Sequence, residues 1–488
     1  MHFIIKLFPE ITIKSTPVRK RFIKQLRDNL RSLLQPIDDG IRVQRDWEKI
    51  EISADSDDPA IVARVVEVLA HTPGIANFAQ VKSHPLGSME EIFQKTRAVW
   101  GDALAGKTFC VRVKRSGQHD FTSMDVERYV GGGLNQHTEA AGVRLKNPDV
   151  TVRLEIRQQR LYVIEHLHPG LGGFPLGTQD PVLSLISGGF DSTVSSYLSI
   201  KRGMRTHFCF FNLGGRAHEV GVKEVAFYLW HKYGGSHRVK FVTVPFEKMV
   251  GEILQKVENS QMGVVLKRMM LRAASEVAAA MDIQALVTGE SVAQVSSQTL
   301  PNLCVIDSVT QTLVLRPLIT MDKGEIIDIS RRIGTEDFAA QMPEYCGVIS
   351  VKPTTRARAD RVEAEEAKLD SSILKAAVAT RQVINIDEVI NDVDSESDAL
   401  KITPVSEPPE HSVVVDIRHP DEEELNPLAL AGGEVAKIPF YTLDSVFPTL
   451  DKEREYLLYC EKGVMSQLHA THLKAAGYIN VGVYRPEH

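Results

Sequence analysis

The residues best suited to chemistry lie in a short glycine-centred segment. The apolar run Leu183–Ile186 predicts a buried strand, the residues Ser187-Gly188-Gly189-Phe190-Asp191-Ser192 follow it, and a helix is predicted from about Thr193. Backbone N–H groups at such a turn can surround a phosphate, and the hydroxyls of Ser187 and Ser192 add donors. The segment therefore predicts a phosphate-binding loop, with an ordinary strand-to-helix turn as the alternative.

A second reactive candidate is Cys460. It follows the predicted strand Tyr456–Tyr459 and precedes a helix predicted to begin near Met465. A thiolate that faces a helix N-terminus is stabilised by the helix dipole and by loop N–H groups, and a persulfide would be held in the same way. Cys460 is therefore a candidate sulfur carrier, with a buried core cysteine as the alternative.

The other cysteines give weaker signals. The chain has five cysteines, widely spread and without a CxxC pair, which argues against a disulfide scaffold and against a zinc site, so we predict no metal site. Cys346 lies in a segment without strand or helix pattern and, taken alone, is more consistent with an inert thiol. We expect Cys110, Cys209 and Cys304, which lie in apolar segments, to be buried in the core.

Length and composition bound the class of protein. A chain of 488 residues is too long for one domain, so we expect three or four. Its 43% hydrophobic and 25% charged residues are typical of soluble globular proteins. No apolar run approaches the roughly 18 residues of a membrane helix, and the N-terminus does not resemble a secretory signal. We therefore expect a cytoplasmic protein without a membrane partner.

Changes of pattern along the chain predict a multidomain α/β protein. The expected parts are a ferredoxin-like α+β domain (1–60), a second α/β domain (61–167), a doubly wound parallel-sheet domain (176–386), an acidic linker (387–403) and a small α/β domain (404–488). The glycine- and proline-rich residues His168–Pro181 predict a further linker.

Two local details are also predicted. Gly131–Gly133 indicate an interruption in the helical pattern Ser123–Gly142, and Ile438–Phe440 predicts a strand.

Positive charge is concentrated near the N-terminus although the net charge is −6. Basic side chains on one predicted helix could bind the phosphates of a nucleic acid, and a solvated helix face is the alternative. The candidate RNA-binding residues are Lys14, Arg19, Lys20, Arg21, Lys24 and Arg27.

The segment 187–192 resembles the PP-loop, SGGxDS, of the ATP pyrophosphatase superfamily, which cleaves ATP between its α and β phosphates. The resemblance implies ATP-binding residues Leu185, Ile186, Ser187, Gly188, Gly189, Ser192, Lys267, Gly289 and Gln298. Lys323 and Lys267 are candidates to offset charge on the leaving pyrophosphate. Asp191 is expected to position Mg²⁺ or the loop, or to cap the following helix.

The chain as a whole resembles the tRNA 4-thiouridine synthetase family in its long form. The resemblance rests on the order of a THUMP-like region (an RNA-binding module), the PP-loop, Tyr345-Cys346 and Tyr459-Cys460. The residues 415–418 (Val-Asp-Ile-Arg) and the Cys460 loop are similar to a rhodanese domain. Residues 61–167 would then be the THUMP domain and 404–488 the rhodanese domain.

The family implies a mechanism and partners. A cysteine desulfurase loads sulfur onto Cys460 as a persulfide, and uridine 8 of tRNA is adenylated at O4 with Mg²⁺ and ATP. The persulfide sulfur, or bisulfide released from it, replaces the adenylated oxygen. Cys346 and Cys460 then form a disulfide that a thiol reductant reopens. The family also supplies sulfur for the thiazole of thiamine through a sulfur-carrier protein.

Three alternatives remain open from the sequence. The chain could be another PP-loop enzyme, such as an amidotransferase or a different tRNA thiolase. It could serve mainly as a rhodanese-type sulfur relay for thiamine synthesis. It could also be a non-catalytic RNA-binding protein, which the intact residues Ser187–Ser192 and Cys460 argue against.

Overall fold

The computed structural model describes residues 1–46, 49–213, 216–342, 353–389, 402–409, 411–418, 420–430, 433–461 and 464–486. The chain divides into two compact units, Met1–Thr178 and Gln179–His488. None of the described helices is both long and apolar enough to cross a membrane.

The first unit is built on one eight-stranded sheet. Its strands are β1 (His2–Leu7), β2 (Arg42–Asp46), β3 (Lys49–Ser53), β4 (Ile75–Pro85), β5 (Thr108–Ser116), β6 (Gly142–Val143), β7 (Val150–Arg157) and β8 (Arg160–Gly172). They lie in the order β2-β3-β1-β4-β8-β7-β5-β6, and only β5 pairs in parallel, with β6 and β7. The helices are α1 (Pro9–Thr12), α2 (Thr16–Leu34), α3 (Pro59–His71), α4 (Met89–Trp100) and α5 (Ser123–His137).

Two cores covered by helices and a smaller cluster (Ile4, Ala79, Val81, Tyr162 and Ile164) lie on this sheet. In the first, the apolar face of α2 packs with strands as far along the chain as Phe78, because Phe22, Ile23, Leu26 and Leu30 recur at helical spacing. In the second, α4 and α5 pack on β5, β7 and β8. The first core extends beyond residue 60, so we propose that the first domain reaches about residue 79.

The structure contradicts two predictions for this unit. The expected linker 168–181 is largely strand, because β8 pairs with β4 as far as Gly172 and β9 begins at Gln179. The glycines Gly131–Gly133 do not interrupt α5. A capping box at Thr122 and Asp125 starts that helix, and its buried residues on both sides of the glycines hold it against the sheet.

The second unit contains a six-stranded sheet, which has the predicted parallel arrangement. Its strands are β9 (Gln179–Leu185), β10 (Met204–Asn212), β11 (Lys240–Pro245), β12 (Ala285–Val287), β13 (Leu313–Leu315) and β14 (Gln382–Asn385). The order is β13-β12-β9-β10-β11-β14, with only β14 antiparallel. The α-helices are α6 (Phe190–Lys201), α7 (Arg216–Leu229), α8 (Glu247–Lys256), α9 (Met262–Ala280), α10 (Leu300–Asp307), α11 (Lys323–Ile333), α12 (Glu336–Gln341), α13 (Ala359–Glu366) and α14 (Ser371–Ala379).

A smaller parallel sheet follows in the same unit. Its strands are β15 (Val413–Asp416), β16 (Glu434–Lys437), β17 (Tyr456–Tyr459) and β18 (Val481–Val483), in the order β16-β15-β17-β18, with helices α15 (Pro420–Leu425), α16 (Phe440–Val446) and α17 (Val464–Ala475). The strand predicted at Ile438–Phe440 is displaced to β16, because Pro439 offers no N–H to a ladder and stands at the N-cap of α16. Most of the predicted acidic linker 387–403 lies outside the described residues.

One buried carboxylate makes the stability of the first unit depend on pH. Glu155, which is 7% exposed, accepts hydrogen bonds from Arg157 Nε and lies 3.1 Å from Lys6 Nζ. Burial alone would raise the pKa of Glu155, but the hydrogen bonds and charges of Arg157 and Lys6 lower it to about 2. Ionised Glu155 therefore stabilises the fold above pH 4.5, and this stabilisation is lost as the pH falls towards 2.

We predict that Glu155→Gln lowers the free energy of unfolding at pH 7 by about 3 kcal/mol, as the size of the pKa shift implies. The difference from wild type should shrink as the pH falls from 4.5 to 3. Calorimetric unfolding of both proteins across this range tests the prediction. Glu165→Gln, which removes only a 3.9 Å contact with Lys82, is the matched control. A difference that does not change with pH would contradict this explanation.

Candidate active site

The predicted phosphate-binding loop joins β9 to α6. Gly188 has a φ of +84°, which favours glycine, and a Cβ built on it would lie 2.8 Å from the Met342 sulfur. The Ser187 N–H donates to Ser192 Oγ at 3.1 Å, and the two hydroxyl oxygens also lie 3.1 Å apart. The loop therefore has the tight turn, the hydroxyls and the following helix N-terminus that anion binding requires.

Asp191 lies in the first turn of α6 but its side chain points to other elements. Its Oδ1 accepts a hydrogen bond from Lys323 Nζ at 2.8 Å, and its Oδ2 accepts one from Gln294 Nε2 at 2.7 Å. Lys323 is the first residue of α11, and its ammonium lies 5.3 Å from the centre of the Phe190 ring. The carboxylate thus holds Lys323 beside the loop, and the alternative of a helix cap is not what the structure shows.

Gly289 allows the segment after β12 to touch the loop directly. A Cβ at this position would lie 2.5 Å from the backbone carbon of Asp191 and 2.6 Å from the nitrogen of Ser192. Both of these are backbone atoms, which cannot move aside as the end of a flexible side chain can. Only glycine therefore fits at position 289 without displacing one of the two segments.

Glu290 links two further cations to this contact. Its carboxylate accepts hydrogen bonds from Lys267 Nζ at 2.8 Å and from Arg316 Nε at 2.7 Å. Burial would raise the pKa of Glu290, but the charges and hydrogen bonds of Lys267 and Arg316 lower it to about 2. Glu290 is therefore ionised at neutral pH and fixes both cations.

Gln298 lies in the loop that also supplies Gln294. Its backbone oxygen accepts the Ala293 N–H at 3.0 Å. The side chain is buried, and within the described part of the chain its Oε1 has no hydrogen-bond partner. An unsatisfied buried acceptor is costly, so a donor from a ligand would stabilise it.

The predicted residues around β9 and β12 therefore lie together, at the carboxyl ends of neighbouring parallel strands, where α/β sheets bind ligands. Sequence reasoning missed three of their contacts: Gln294 on Asp191, Met342 on Gly188, and His218, whose Nε2 lies 3.0 Å from the Ser187 carbonyl oxygen. These three residues belong to no motif, and no local pattern in the sequence singles them out.

Cys460 follows β17 and its sulfur faces the start of α17, as the sequence pattern predicts. The Ser466 N–H lies 3.3 Å from Cys460 Sγ and donates to it, and the Ser466 hydroxyl lies 3.5 Å from the same sulfur. Ser466 is in the first turn of α17, so the sulfur sits at the positive end of the helix dipole. This environment favours a thiolate or another anionic sulfur.

A buried ion pair lies next to this cysteine. Arg418 Nε donates to Asp416 Oδ1 at 2.9 Å, and the guanidinium carbon lies 5.1 Å from the centre of the Tyr459 ring. Burial opposes the charge of Arg418, but Asp416 raises its pKa above the usual range. The ion pair therefore keeps Arg418 charged beside Tyr459, the residue that precedes Cys460, with that charge balanced by Asp416.

Three protein-family profiles match the chain: the ThiI ferredoxin-like domain over residues 2–79, the THUMP domain over 87–164, and Thiamine biosynthesis protein (ThiI) over 177–371. A tRNA sulfurtransferase of Saccharophagus degradans is 58% identical over 486 residues, and one of Shewanella piezotolerans is 57% identical over 487, each with 100% of both chains covered. The chain belongs to the tRNA sulfurtransferase family.

Solved structures agree with this membership. The crystal structure of a 4-thiouridine synthetase in complex with RNA and ATP superposes with a TM-score of 0.69 at 25% identity, covering 79% of this chain and 99% of that one. PH1313 from Pyrococcus horikoshii shares the fold, with a TM-score of 0.54 at 18% identity over 68% of this chain and 100% of that one. The chain is therefore an enzyme of the transferase class, and the predicted family and the ferredoxin-like, THUMP and PP-loop domains are confirmed.

The basic candidates of this sulfurtransferase lie on or just before α2. Lys14, Lys20, Arg21 and Lys24 are exposed, while Arg19 and Arg27 are half-buried. Arg27 pairs with Asp28 at 2.6 Å. The apolar residues of α2 face the core, so the exposed bases form a positive outer face of the helix.

The remaining cysteines divide into three cases. Cys110 and Cys209 are buried, as expected, and burial raises the pKa of the Cys209 thiol to about 12. The prediction that Cys304 is buried is wrong, because it lies on the outer side of α10 while Leu303 and Val305 face the core. Cys346 lies outside the described residues, so its predicted disulfide with Cys460 stays a prediction.

We predict that Gly289→Ala lowers both the Tm and the sulfurtransferase activity, because the new Cβ forces the two backbone segments apart at a cost of about 1–3 kcal/mol. Thermal unfolding and an activity assay check this. Gly251→Ala in α8 is the control, since its Cβ would meet no atom within 4 Å and alanine favours a helix. If Gly289→Ala and Gly251→Ala had the same Tm and activity, the close contact at Gly289 would not be needed for stability or catalysis.

Proposed function

We propose that the chain converts uridine at position 8 of tRNA into 4-thiouridine, using ATP and a persulfide on Cys460. The observation that carries the proposal is the cradle of Cys460, whose sulfur accepts the Ser466 N–H in a chain that also holds the loop 187–192 with Lys323 beside it. Full-length identity of 58% to a curated tRNA sulfurtransferase supports it.

ATP fits the edge of the sheet that the loop occupies. Backbone N–H groups and serine hydroxyls of 187–192 would bind its phosphates, and Lys267 and Lys323 would offset charge on the leaving pyrophosphate. Leu185, Ile186, Gly289 and Gln298 would hold the nucleoside. Gln298 Oε1, which has no hydrogen-bond partner among the described residues, would accept an N–H of the base.

Mg²⁺ would arrive with the nucleotide. The described residues include no group of three or more histidine, cysteine, aspartate or glutamate side chains that could hold a metal ion. Phosphate oxygens are ligands that Mg²⁺ prefers, and Asp191 is a carboxylate within the loop itself. Asp191 would thus serve both the ion and Lys323.

The chemistry follows from what the two sites can supply. The O4 of uracil is a poor leaving group, and its adenylation with loss of pyrophosphate makes it a good one. The terminal sulfur of the Cys460 persulfide, or bisulfide released from it, then attacks C4 and expels AMP. The Ser466 N–H and the dipole of α17 would stabilise the anionic sulfur before transfer.

Cys346 would complete the cycle. Attack of its thiolate on Cys460 Sγ releases bisulfide from the persulfide or, after direct attack on C4, releases 4-thiouridine from the C4–S–S–Cys460 adduct. Either route forms the Cys346–Cys460 disulfide, which a thiol reductant reopens. A cysteine desulfurase would reload Cys460. The same persulfide would serve a sulfur-carrier protein for thiazole synthesis, and the enzyme would act with these partners in the cytoplasm.

The remaining domains would bind the RNA and carry the sulfur. The THUMP domain and the exposed bases of α2 would contact tRNA, while residues 404–488 would form a rhodanese domain with Cys460 at the carboxyl end of a parallel strand. Within the predicted acidic linker 387–403, Asp387 pairs with Arg238 and Val389 is buried, so the part after Val389 would serve as the linker between this domain and the PP-loop domain.

The deciding experiment measures 4-thiouridine in tRNA from a host that lacks its own enzyme. Wild type should restore the nucleoside, and Cys460→Ala and Asp191→Ala should abolish it. Cys346→Ala should stop repeated turnover. Cys304→Ala, which removes an exposed cysteine outside the site, is the matched control and should behave as wild type. Digested tRNA is analysed by liquid chromatography and mass spectrometry.

The outcomes separate the two functions. If wild type yields no 4-thiouridine but restores growth without thiamine, the chain is mainly a sulfur relay and the tRNA assignment fails. If Cys460→Ala retains full thiolation, the persulfide route fails.

We also predict that replacing Lys20, Arg21 and Lys24 together by alanine weakens tRNA binding and reduces the slope of log Kd against log salt concentration by up to about 3, roughly one per phosphate contact. Lys375→Ala, which changes an exposed lysine on α14, is the control. Filter binding at several salt concentrations gives the slope. An unchanged slope would assign these bases to a solvated helix face.

A further inference from the structure

The C-terminal domain touches the PP-loop domain through a buried set of side chains, which we call the docking cluster. It consists of Glu224 and Tyr228 of α7, Phe338 of α12, Phe440 of α16 and His469 of α17. The Phe338 and Phe440 ring centres lie 4.4 Å apart, and Tyr228 lies 5.3 Å from Phe338. His469 Nε2 lies 3.3 Å from Glu224 Oε1. Each of the five is at most 8% exposed.

On the C-terminal side, the cluster is directly connected to the sulfur. His469 lies one helical turn after Ser466 on α17, and the Ser466 N–H donates to Cys460 Sγ. The helix that stabilises the sulfur is therefore the helix that docks. A shift of α17 against α7 would move the Ser466 N–H as well.

On the other side, the cluster is connected to the phosphate-binding loop. Helix α7 carries Glu224, and it also carries His218, whose Nε2 lies 3.0 Å from the Ser187 carbonyl oxygen. Val222 of the same helix lies against the loop, since a Cβ on Gly188 would be 3.2 Å from its Cγ2. One rigid helix thus touches the loop at one face and the sulfur-carrying domain at another.

We propose that the docking cluster positions the Cys460 domain on the PP-loop domain for sulfur transfer, with Phe440 and His469 as positioning residues. The inference rests on the proposed function, because it takes Cys460 as the sulfur carrier. Release of the domain would expose Phe338 and Phe440 to water, which favours the docked state. The contact of His469 with Glu224 selects one orientation of the domain among those that the aromatic contact alone would allow.

The docking cluster is small, as expected for a contact between domains that must also separate. Interfaces between domains of one chain are commonly weak enough to separate. Cys460 is 9% exposed in this arrangement, and the proposal takes delivery to occur in the docked state and loading by a macromolecular donor in the undocked state. A contact of a few aromatic side chains and one polar pair permits both states.

The test compares two sulfur sources in the full-length protein with ATP and unmodified tRNA. In one, cysteine and a cysteine desulfurase load the Cys460 persulfide; in the other, sodium sulfide supplies bisulfide directly and bypasses Cys460. We expect Phe440→Ala and Phe338→Ala each to lower persulfide-driven thiolation by roughly tenfold or more, as for a buried interface aromatic. Bisulfide-driven thiolation should stay unchanged.

A third measurement controls for folding and reactivity of the C-terminal domain. Thiosulfate gives its outer sulfur to the Cys460 thiolate and leaves as sulfite, and cyanide then takes this sulfur as thiocyanate and restores the thiolate. Phe440→Ala should retain this transfer. Phe447→Ala, which removes a ring packed on Tyr456 and Tyr478 inside the domain, should lower it.

The contact between His469 and Glu224 allows a second, independent test. His469→Gln and Glu224→Gln should each slow persulfide-driven thiolation, and the double variant should be no slower than the worse single variant, because both remove one interaction. Glu453→Gln, an exposed change on the same domain, is the matched control.

Each outcome decides a separate claim. Normal persulfide-driven rates in Phe440→Ala and Phe338→Ala would overturn the docking proposal, as would an equal loss with both sulfur sources, which would place the defect in the PP-loop domain. If wild type thiolates no tRNA with either source, the proposed function itself fails.

Discussion

The backbone contact of Gly289 with Asp191 and Ser192 is the constraint on which the site depends. It brings the end of β12 against the turn after β9 at a distance that no side chain permits. Once this segment is in place, the next residue, Glu290, reaches Lys267 and Arg316. The positions of Lys267 and Arg316, which come from distant parts of the chain, therefore depend on the lack of a side chain at Gly289.

Two carboxylates, Asp191 and Glu290, hold basic side chains in place near the loop. Asp191 holds Lys323, while Glu290 holds Lys267 and Arg316. Because the charges of Lys267 and Arg316 lower the pKa of Glu290 to about 2, Glu290 stays ionised and keeps both cations in place at neutral pH. Arg316 also pairs with Asp307, so these three cations face three carboxylates, and the N–H groups of the loop and of the start of α6 are the donors left for an anionic ligand such as a nucleotide phosphate.

The sequence predicted those parts of the structure that local pattern determines. The strand, turn and helix at 183–201 and the cysteine at the start of α17 follow from adjacent residues. The extension of β8 through residues 168–172 depends on pairing with β4, and the exposure of Cys304 depends on which face of α10 meets the core. The contact of Gln294 with Asp191 joins residues far apart in the chain. Such facts arise from tertiary packing and leave no local signature.

The two reactive centres also impose opposite requirements on the chain. A persulfide must be accessible while it is loaded and shielded from water and stray thiols while it is carried. A rigid single domain could not satisfy both, whereas a small domain with its own sheet, docked through α7, can. The cradle of Cys460 is complete within that domain, since Ser466 and Cys460 both belong to it. On the proposed function, the cradle would therefore stabilise the sulfur in every position of the domain, and docking would determine where the sulfur is delivered.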